Sequence, residues 1–242
     1  MTEFLFGREQ ELEALRARLR EPRSLLLYGP AGVGKTLLLK RTLLDFPQVL
    51  YSAESAGIQS TFRNLARAML RAGGKSDQAI PSKSAVALRG IVFEALRKGK
   101  HFVVLDHLKA PSQAFAAAVR EITDRGRTPV IAVARSPHME DVGFLRPLFA
   151  ERSDRFELRN FARLVAEQFA QECVRSIGLS AYNLREFLDR VLEFSQGNPG
   201  AILSMLEMAQ RPHYRSAEHI KITPLYVDFR LNWKATAEAA AR

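Results

Sequence analysis

The sequence predicts an α/β fold: a parallel sheet of about five strands with helices on both faces, followed by a small all-helical domain. Short apolar runs alternate with helical patterns as far as about Leu158, an order typical of parallel sheets because helices make the crossovers between strands. A glycine-rich loop joins the apolar run at 25–28 to the helix after it. From Leu158 to about residue 212 only helical patterns follow, which indicates a second domain.

Strands are predicted where apolar residues form short runs bounded by polar residues, glycine or proline. These runs cover residues 25–28, 49–53, 101–106 and 129–134, and residues 4–8 form a further short strand or turn. Helices are predicted from apolar residues three or four apart, over residues 9–20, 36–46, 58–72, 84–98 and 112–125.

Three helices are predicted in the second domain, over residues 162–177, from Asn183 and from Asn198. Asn183 and Glu186 have the spacing of a capping box. One more strand is predicted at 225–227. The expected domains are residues 1–158, 159–212 and a C-terminal appendage, 213–242.

Composition favours a globular protein with an anionic partner. Hydrophobic residues make up 47% of the 242, and the formal charge is +10. Residues 51–100 contain nine Lys or Arg against three Asp or Glu, so more than half of the excess lies there. The single cysteine, Cys173, excludes an internal disulfide, and neither a signal peptide nor a membrane span is recognisable. We therefore expect a soluble, cytoplasmic protein.

The glycine-rich loop fits the pattern G-x-x-x-x-G-K-[ST], with Gly29, Gly34, Lys35 and Thr36 in its fixed places. Such a loop turns its backbone N–H groups towards phosphate oxygens, and the following helix N-terminus adds partial positive charge. We expect Lys35 to reach the outer phosphates of ATP and Thr36 to ligate Mg²⁺. The predicted nucleotide contacts are Gly29, Pro30, Ala31, Gly32, Val33, Gly34, Lys35, Thr36 and Leu37.

Asp106 ends the apolar run at 102–105, as the acidic residue of a Walker B strand does. A carboxylate at that end of a strand beside the loop can hold hydrated Mg²⁺, so Asp106 and Thr36 are the predicted metal residues.

The chain resembles the AAA+ ATPases, within the group of replication-initiator, archaeal-type and STAND signalling ATPases. The resemblance covers residues 4–210, and its motifs besides the P-loop and the Walker B strand are Phe6-Gly7-Arg8-Glu9, Ala134-Arg135-Ser136 and Gly197-Asn198-Pro199. It implies that Phe6, Gly7 and Arg8 pack against the adenine. It also implies that Arg135 is the sensor 1 residue near the γ-phosphate and that Pro199 lies on a helical lid over the base and ribose.

One position departs from the AAA+ pattern, because His107 stands where these enzymes have a catalytic glutamate after the Walker B aspartate. Either His107 or Glu54, at the end of the second predicted strand, could accept the proton of the attacking water. The third alternative is slow hydrolysis, with ATP acting mainly as a switch.

Two arginines, Arg152 and Arg155, stand where the resemblance places an arginine finger acting across subunits, which implies a homo-oligomer.

Two functions remain open, and a third, phosphorylation of a small molecule by a kinase, is not favoured. The first is action on DNA through a basic stripe formed by Arg63, Arg67, Arg71, Lys75 and Lys83. The second is a STAND-like ATP/ADP switch that controls a protein partner.

Overall fold

The computed structural model describes residues 5–46, 48–55, 57–72, 80, 84–97 and 101–239, with only the backbone for residues 72 and 234–239. Lys75 and Lys83 of the predicted basic stripe lie outside the described residues, as does position 4 of the predicted N-terminal strand or turn.

Helices and strands alternate through the first two thirds of the chain. In chain order they are α1 (Glu9–Leu19), β1 (Leu25–Tyr28), α2 (Lys35–Leu43), β2 (Val49–Ser52), α3 (Ile58–Ala72), α4 (Ala85–Leu96), β3 (Phe102–Leu105), α5 (Gln113–Asp124), β4 (Val130–Ala134), α6 (Met139–Val142) and β5 (Arg155–Glu157). The rest comprises α7 (Arg163–Ile177), α8 (Leu184–Ser195), α9 (Pro199–Ala209), β6 (Arg215–Ser216), β7 (His219–Ile220) and α10 (Ile222–Ala239).

The predicted sheet is confirmed: five parallel strands in the order β2-β3-β4-β1-β5. β4 pairs with both β1 and β3, so the carboxyl end of β4 lies between the end of the loop-bearing strand and the end of the Asp106 strand. In a parallel sheet all carboxyl ends share one edge, and ligands bind there. The chain therefore brings the residues after β1, β3 and β4 to one edge.

The chain forms two compact units. The α/β unit comprises residues 8–29 and 35–158, and the C-terminal unit comprises the described parts of residues 1–7, 30–34 and 159–242. In the α/β unit α1 packs on α2, while α3 packs on α4 and α5. β4 is buried over its whole length, which matches its uninterrupted apolar sequence.

Helices α7, α8, α9 and α10 surround the core of the C-terminal unit. Its buried residues include Phe187, Ile202, Met205 and Leu206, and a short antiparallel pair, β6 and β7, precedes α10. The predicted helices of this region are present, with α9 beginning one residue after Asn198.

Two local predictions for this region are wrong. The run at 225–227 lies within α10, because its buried residues Leu225 and Phe229 are four apart, as on one face of a helix. Asn183 does not cap α8 with its side chain. Its amide instead pairs with the backbone N–H and C=O of Ile220, so the tertiary contact replaces the capping box.

Candidate nucleotide site

Three glycines give the loop after β1 its path. Gly29, Gly32 and Gly34 have φ of +154°, +77° and +100°, a region that residues with a side chain rarely adopt. The loop begins where β1 ends, and α2 begins at Lys35, directly after Gly34. The backbone N–H of Gly29 donates to the C=O of Arg135 at 3.2 Å, which ties the start of the loop to the end of β4.

Lys35 lies at the first position of α2 and donates from Nζ to the C=O of Gly29 at 2.8 Å. The pKa of Lys35 is lowered to about 8, chiefly by burial; the positive charge of Arg135 also lowers it, while the carboxylates of Asp106 and Asp141 raise it. A desolvated ammonium of this kind gains strongly from a new anionic partner. The Lys35 ammonium is therefore suited to pair with an anionic group such as a phosphate.

Asp106 is a buried carboxylate at this edge of the sheet, with 1% of its surface exposed. Its Oδ2 accepts hydrogen bonds from the Thr36 hydroxyl at 3.0 Å and from the Tyr51 hydroxyl. Its Oδ1 accepts the backbone N–H of His107 at 2.8 Å. Three donors therefore hold one buried carboxylate in a single orientation.

Thr36 and Asp106 fit a Mg²⁺ ion that keeps most of its water and phosphate ligands. Their side chains present a hydroxyl and a carboxylate in direct contact, the oxygen donors that Mg²⁺ prefers. Among the described residues, no group of three or more His, Cys, Asp or Glu could hold a metal ion. A protein that supplies one or two oxygens and leaves the rest to phosphate and water agrees with both observations.

Of the two predicted proton acceptors, Glu54 follows β2 and His107 follows β3. His107 has a positive φ of +54°, and its side chain is 60% exposed. Its Nδ1 lies 3.1 Å from the C=O of Ala53 and 3.3 Å from Oδ1 of Asp106. Glu54 is exposed, and its backbone C=O accepts from Ser52 Oγ at 2.9 Å. Which of the two accepts a proton, if either, stays a prediction.

Arg135 follows β4 directly, as predicted, and its charge acts on Lys35 in the same unit. A further acidic residue of this site, Asp141, was not predicted from the sequence. Its carboxylate accepts from the Ser136 hydroxyl at 2.6 Å, and its charge raises the pKa of Lys35. Only the fold could reveal Asp141, because it lies in the short helix α6 and matches no motif.

Residues 30–34 of the loop belong to the C-terminal unit, where the start of α9 holds their carbonyls. Asn198 donates from Nδ2 to the C=O of Ala31 at 2.8 Å, and the N–H of Gly200 donates to the C=O of Gly32 at 3.0 Å. A Cβ on Gly200 would lie 2.8 Å from the Cα of Gly32. The indole of Trp233 lies on the same side of Gly32, 2.8 Å from where a Cβ would stand.

Asn198 also caps α9, since its Oδ1 accepts the N–H of Ala201 at 3.1 Å. The cap and the contact with Ala31 therefore use opposite ends of one amide, the oxygen and the nitrogen. Pro199 occupies the first turn of α9, where it needs no N–H partner. Its contact with a nucleotide stays a prediction.

The N-terminal motif is divided between the units. Phe6 packs in the C-terminal unit against Phe169, with ring centroids 5.6 Å apart, and Gly7 has a φ of +59°. In the α/β unit Arg8 is only 5% exposed and pairs with Glu11 at 2.6 Å. The adenine contact of these residues stays a prediction.

The two arginine-finger candidates differ in their surroundings. Arg155 donates from Nε to the C=O of Phe149 at 2.8 Å and from Nη2 to the C=O of Ala150 at 3.3 Å. Arg152 is exposed at the start of a short 3-10 turn, Arg152–Asp154. Arg23 holds that turn through Asp154 at 2.8 Å. Arg152 is therefore the better placed of the two to reach another molecule.

The described part of the basic stripe lies along α3. Arg63 and Arg67 are half-buried, and Arg71 is exposed. The stripe is thus less open than a fully solvated helix face, and its contact with nucleic acid stays a prediction.

A five-stranded parallel sheet with a P-loop after β1 and a buried acidic residue after β3 defines a P-loop ATPase fold. The particular family follows from the sequence: residues 5–134, more than half of the chain, match the family model described as the AAA ATPase domain. The chain belongs to that family, as its motifs predicted.

One sequence relative is an uncharacterized AAA domain-containing protein of Schizosaccharomyces pombe. The alignment runs over 179 residues at 28% identity, and the match covers 66% of this chain and 24% of that protein. The chain therefore covers about a quarter of this relative's length.

Solved structures with the same fold come from archaea. Orc1 of Aeropyrum pernix, solved in complex with DNA, has a TM-score of 0.64 and 16% identity, covering 95% of this chain and 66% of that one. Cdc6p of Pyrobaculum aerophilum has a TM-score of 0.59 and 15% identity, covering 84% and 61%. A Walker-type ATPase of Pyrococcus abyssi has a TM-score of 0.58 and 16% identity, covering 88% and 69%. At such identities these likenesses show the fold alone.

Within the described ranges, no helix is both long enough and apolar enough to cross a membrane.

Proposed function

We propose that the chain binds ATP with Mg²⁺, hydrolyses it slowly, and uses the resulting change in shape or assembly to act on nucleic acid. The observation that carries the proposal is the hydrogen bond between Thr36 and the buried Asp106, in the same unit as a lysine whose pKa is lowered to about 8. Hydroxyl, carboxylate and ammonium are the three side-chain groups that a Mg²⁺-nucleotide site of this class needs.

Each group has its own task in this proposal. The N–H groups of the loop and the start of α2 bind the phosphate oxygens, and Lys35 pairs with the outer phosphates. Thr36 and Asp106 hold Mg²⁺, which when bound offsets the negative charge of the phosphates. Arg135 forms a charge-assisted pair with the γ-phosphate, so it responds to ATP and not to ADP.

Slow hydrolysis follows from the lack of a carboxylate directly after Asp106. His107 is largely exposed, and its Nδ1 lies against the C=O of Ala53 and Oδ1 of Asp106, so the residue lacks the free carboxylate that would polarise the attacking water. Steady-state phosphate release tests this. We expect less than one turnover per second from the free protein, and many turnovers per second would contradict the proposal.

Assembly is the proposed way to raise that rate. Arg152 is exposed on a turn that Arg23 holds in place, a geometry suited to an arginine finger supplied to a neighbouring copy. In an assembled sample, Arg152→Ala should keep the ATP affinity and lose the stimulated turnover. Arg125→Ala, which removes an exposed arginine from the end of α5, is the control. Unchanged stimulation in Arg152→Ala would remove the finger.

Nucleic acid is the proposed target because the excess positive charge is concentrated in residues 51–100, and Arg71 is exposed on α3. The Orc1 structure of the same fold was solved with DNA. Each phosphate contact releases counterions, so affinity for generic duplex DNA should fall steeply with salt. Arg71→Glu should weaken binding and reduce the salt slope, whereas Arg175→Glu, on the exposed side of α7, should change neither. Binding that does not depend on salt would contradict this part.

A STAND-like switch is the second candidate, and the contacts of Asn198 and Gly200 with the loop carbonyls favour it. They give α9 a direct mechanical connection to the phosphate loop, by which ATP and ADP could be distinguished. Particle size measured with ATP, ADP or no nucleotide, with and without DNA, separates the two functions. Assembly on DNA with ATP supports the first, and an ATP-dependent change without any effect of DNA supports the second.

A further inference from the structure

Tyr51 donates a hydrogen bond to Asp106 and belongs to none of the motifs found in the sequence. It lies on β2, opposite Val104 of β3, and the β2–β3 pairing continues to the N–H of Asp106, which donates to the C=O of Ser52 at 3.0 Å. The pairing thus fixes the tyrosine backbone relative to the aspartate. Its hydroxyl donates to Oδ2 of Asp106, which lies two residues beyond Val104.

Tyr51 donates to Asp106 as a neutral hydroxyl group. Burial raises the pKa of Tyr51 well above its usual value, and the hydrogen bond to Asp106 raises it further. A tyrosine hydroxyl is neutral at neutral pH, and this one donates to the carboxylate. A neutral donor orients Asp106 without cancelling its charge, whereas a lysine or a protonated histidine there would compete with a cation.

The two hydroxyl groups that donate to Oδ2 of Asp106 would have different roles beside a bound cation. Thr36 is itself a predicted Mg²⁺ ligand. Its hydroxyl oxygen has lone pairs available for the metal while its O–H continues to donate to Asp106. Tyr51 approaches the same oxygen from β2 and can remain an orienting group. Such partners of metal-binding residues commonly alter metal affinity by roughly 10–100-fold when removed.

We propose that Tyr51 is a positioning residue that holds Asp106 for Mg²⁺ and so sets how much Mg²⁺ strengthens nucleotide binding. The proposal rests on the function proposed above, in which Asp106 and Thr36 hold Mg²⁺. It adds a residue that the P-loop and Walker B motifs do not contain.

The experiment compares two tyrosines that make the same bond in different places. Tyr214 of the C-terminal unit donates to Oδ2 of Asp228 at 2.8 Å, so Tyr214→Phe removes a tyrosine–aspartate hydrogen bond away from the α/β unit. The affinity of each purified variant for ADP is measured by calorimetry in excess EDTA and again in excess Mg²⁺. The readout is the ratio of the two affinities.

We expect Tyr51→Phe to reduce this ratio about tenfold or more while its affinity in EDTA stays within about twofold of the wild type. Tyr214→Phe should leave both values unchanged. An unchanged ratio in Tyr51→Phe would overturn the proposal. So would an equal loss with and without Mg²⁺, or a Tyr51→Phe protein that fails to fold, since either outcome makes the bond a purely structural one.

A double-mutant cycle tests whether Tyr51 acts through Asp106. In an Asp106→Asn background, Tyr51→Phe should produce no further change in the Mg²⁺ ratio, and an additive loss would contradict the positioning role. Failure of the proposed function itself looks different, because then the wild-type protein shows no strengthening by Mg²⁺ at all.

Discussion

The two halves of the phosphate loop are held by different kinds of contact. In the C-terminal unit, Ala31 and Gly32 are held through their backbone carbonyls by the start of α9, at a distance that only glycine at position 200 allows. In the α/β unit, Lys35 and Thr36 are held through polar side-chain groups. We infer that the first half determines the shape of the loop and the second half carries the charge-dependent chemistry.

The largest effect should come from the second half. Lys35→Ala removes the ammonium that pairs with the outer phosphates, and charge-assisted hydrogen bonds contribute roughly 1.5–3 kcal/mol each. We expect ATP affinity to fall about 100-fold. Lys40→Ala removes an exposed lysine from the same helix and should have no effect. Equal affinities of the two variants in calorimetry would disprove the assigned role of Lys35.

The shape of the first half is tested by Gly200→Ala. A Cβ there would stand 2.8 Å from Gly32, and relief of such overpacking typically costs about 1–3 kcal/mol. Nucleotide affinity should fall roughly tenfold, although alanine is the better helix former.

Gly90→Ala is the matched control, because the Cβ there meets no atom within 4 Å and the residue lies inside α4. It should raise the melting temperature slightly and leave nucleotide affinity unchanged. If Gly200→Ala behaves in the same way, α9 does not control the shape of the loop.

Asn198→Ser separates the two tasks of one amide. Serine caps a helix about as well as asparagine, but it lacks the second group that donates to Ala31. We expect a loss of about 1 kcal/mol in nucleotide binding, or roughly fivefold.

Asn183→Ser provides the comparison, since it loses an amide that pairs with Ile220 in the same unit. Its melting temperature should fall, and its nucleotide affinity should not. A similar change of affinity in both variants would show a general loss of stability and not a specific contact with the loop.

The second half should also show a pH dependence, which is small near neutral pH. Because the pKa of Lys35 is lowered to about 8, the ammonium of the empty site loses its proton as pH rises through that value. Above it, nucleotide binding must take up a proton, so affinity should fall by up to about tenfold per pH unit.

Calorimetry of ADP binding between pH 7 and 9.5, in EDTA and in buffers of different ionisation enthalpy, measures both the fall in affinity and the proton uptake. A Lys35→Arg protein keeps its charge throughout this range, and its binding should be independent of pH. A fall of the same size in Lys35→Arg would assign the titration to another group.

The sequence could predict those features that depend on a few residues close together in the chain. Gly29, Gly34, Lys35 and Thr36 share one motif, and Asp106 ends an apolar run, so both the loop and the sheet were foreseen. Tyr51 depends on how β2 aligns with β3, and no local pattern carries that alignment.

The C-terminal region shows the same limit. Asn198 precedes a proline at the start of α9, as a helix cap commonly does, and capping alone accounts for an asparagine there. No local pattern could therefore predict its contact with Ala31, 167 positions away. The wrong strand at 225–227 came from its β-branched and aromatic residues. The burial of Leu225 and Phe229 on one helical face outweighed that local preference.

The measurement that tests the account most directly is calorimetric titration of the wild-type protein with ATP, first in EDTA and then in Mg²⁺. The account predicts one ATP per chain, with clearly tighter binding when Mg²⁺ is present. No binding, or binding that Mg²⁺ leaves unchanged, would contradict the central claim that Lys35, Thr36 and Asp106 form a Mg²⁺-nucleotide site.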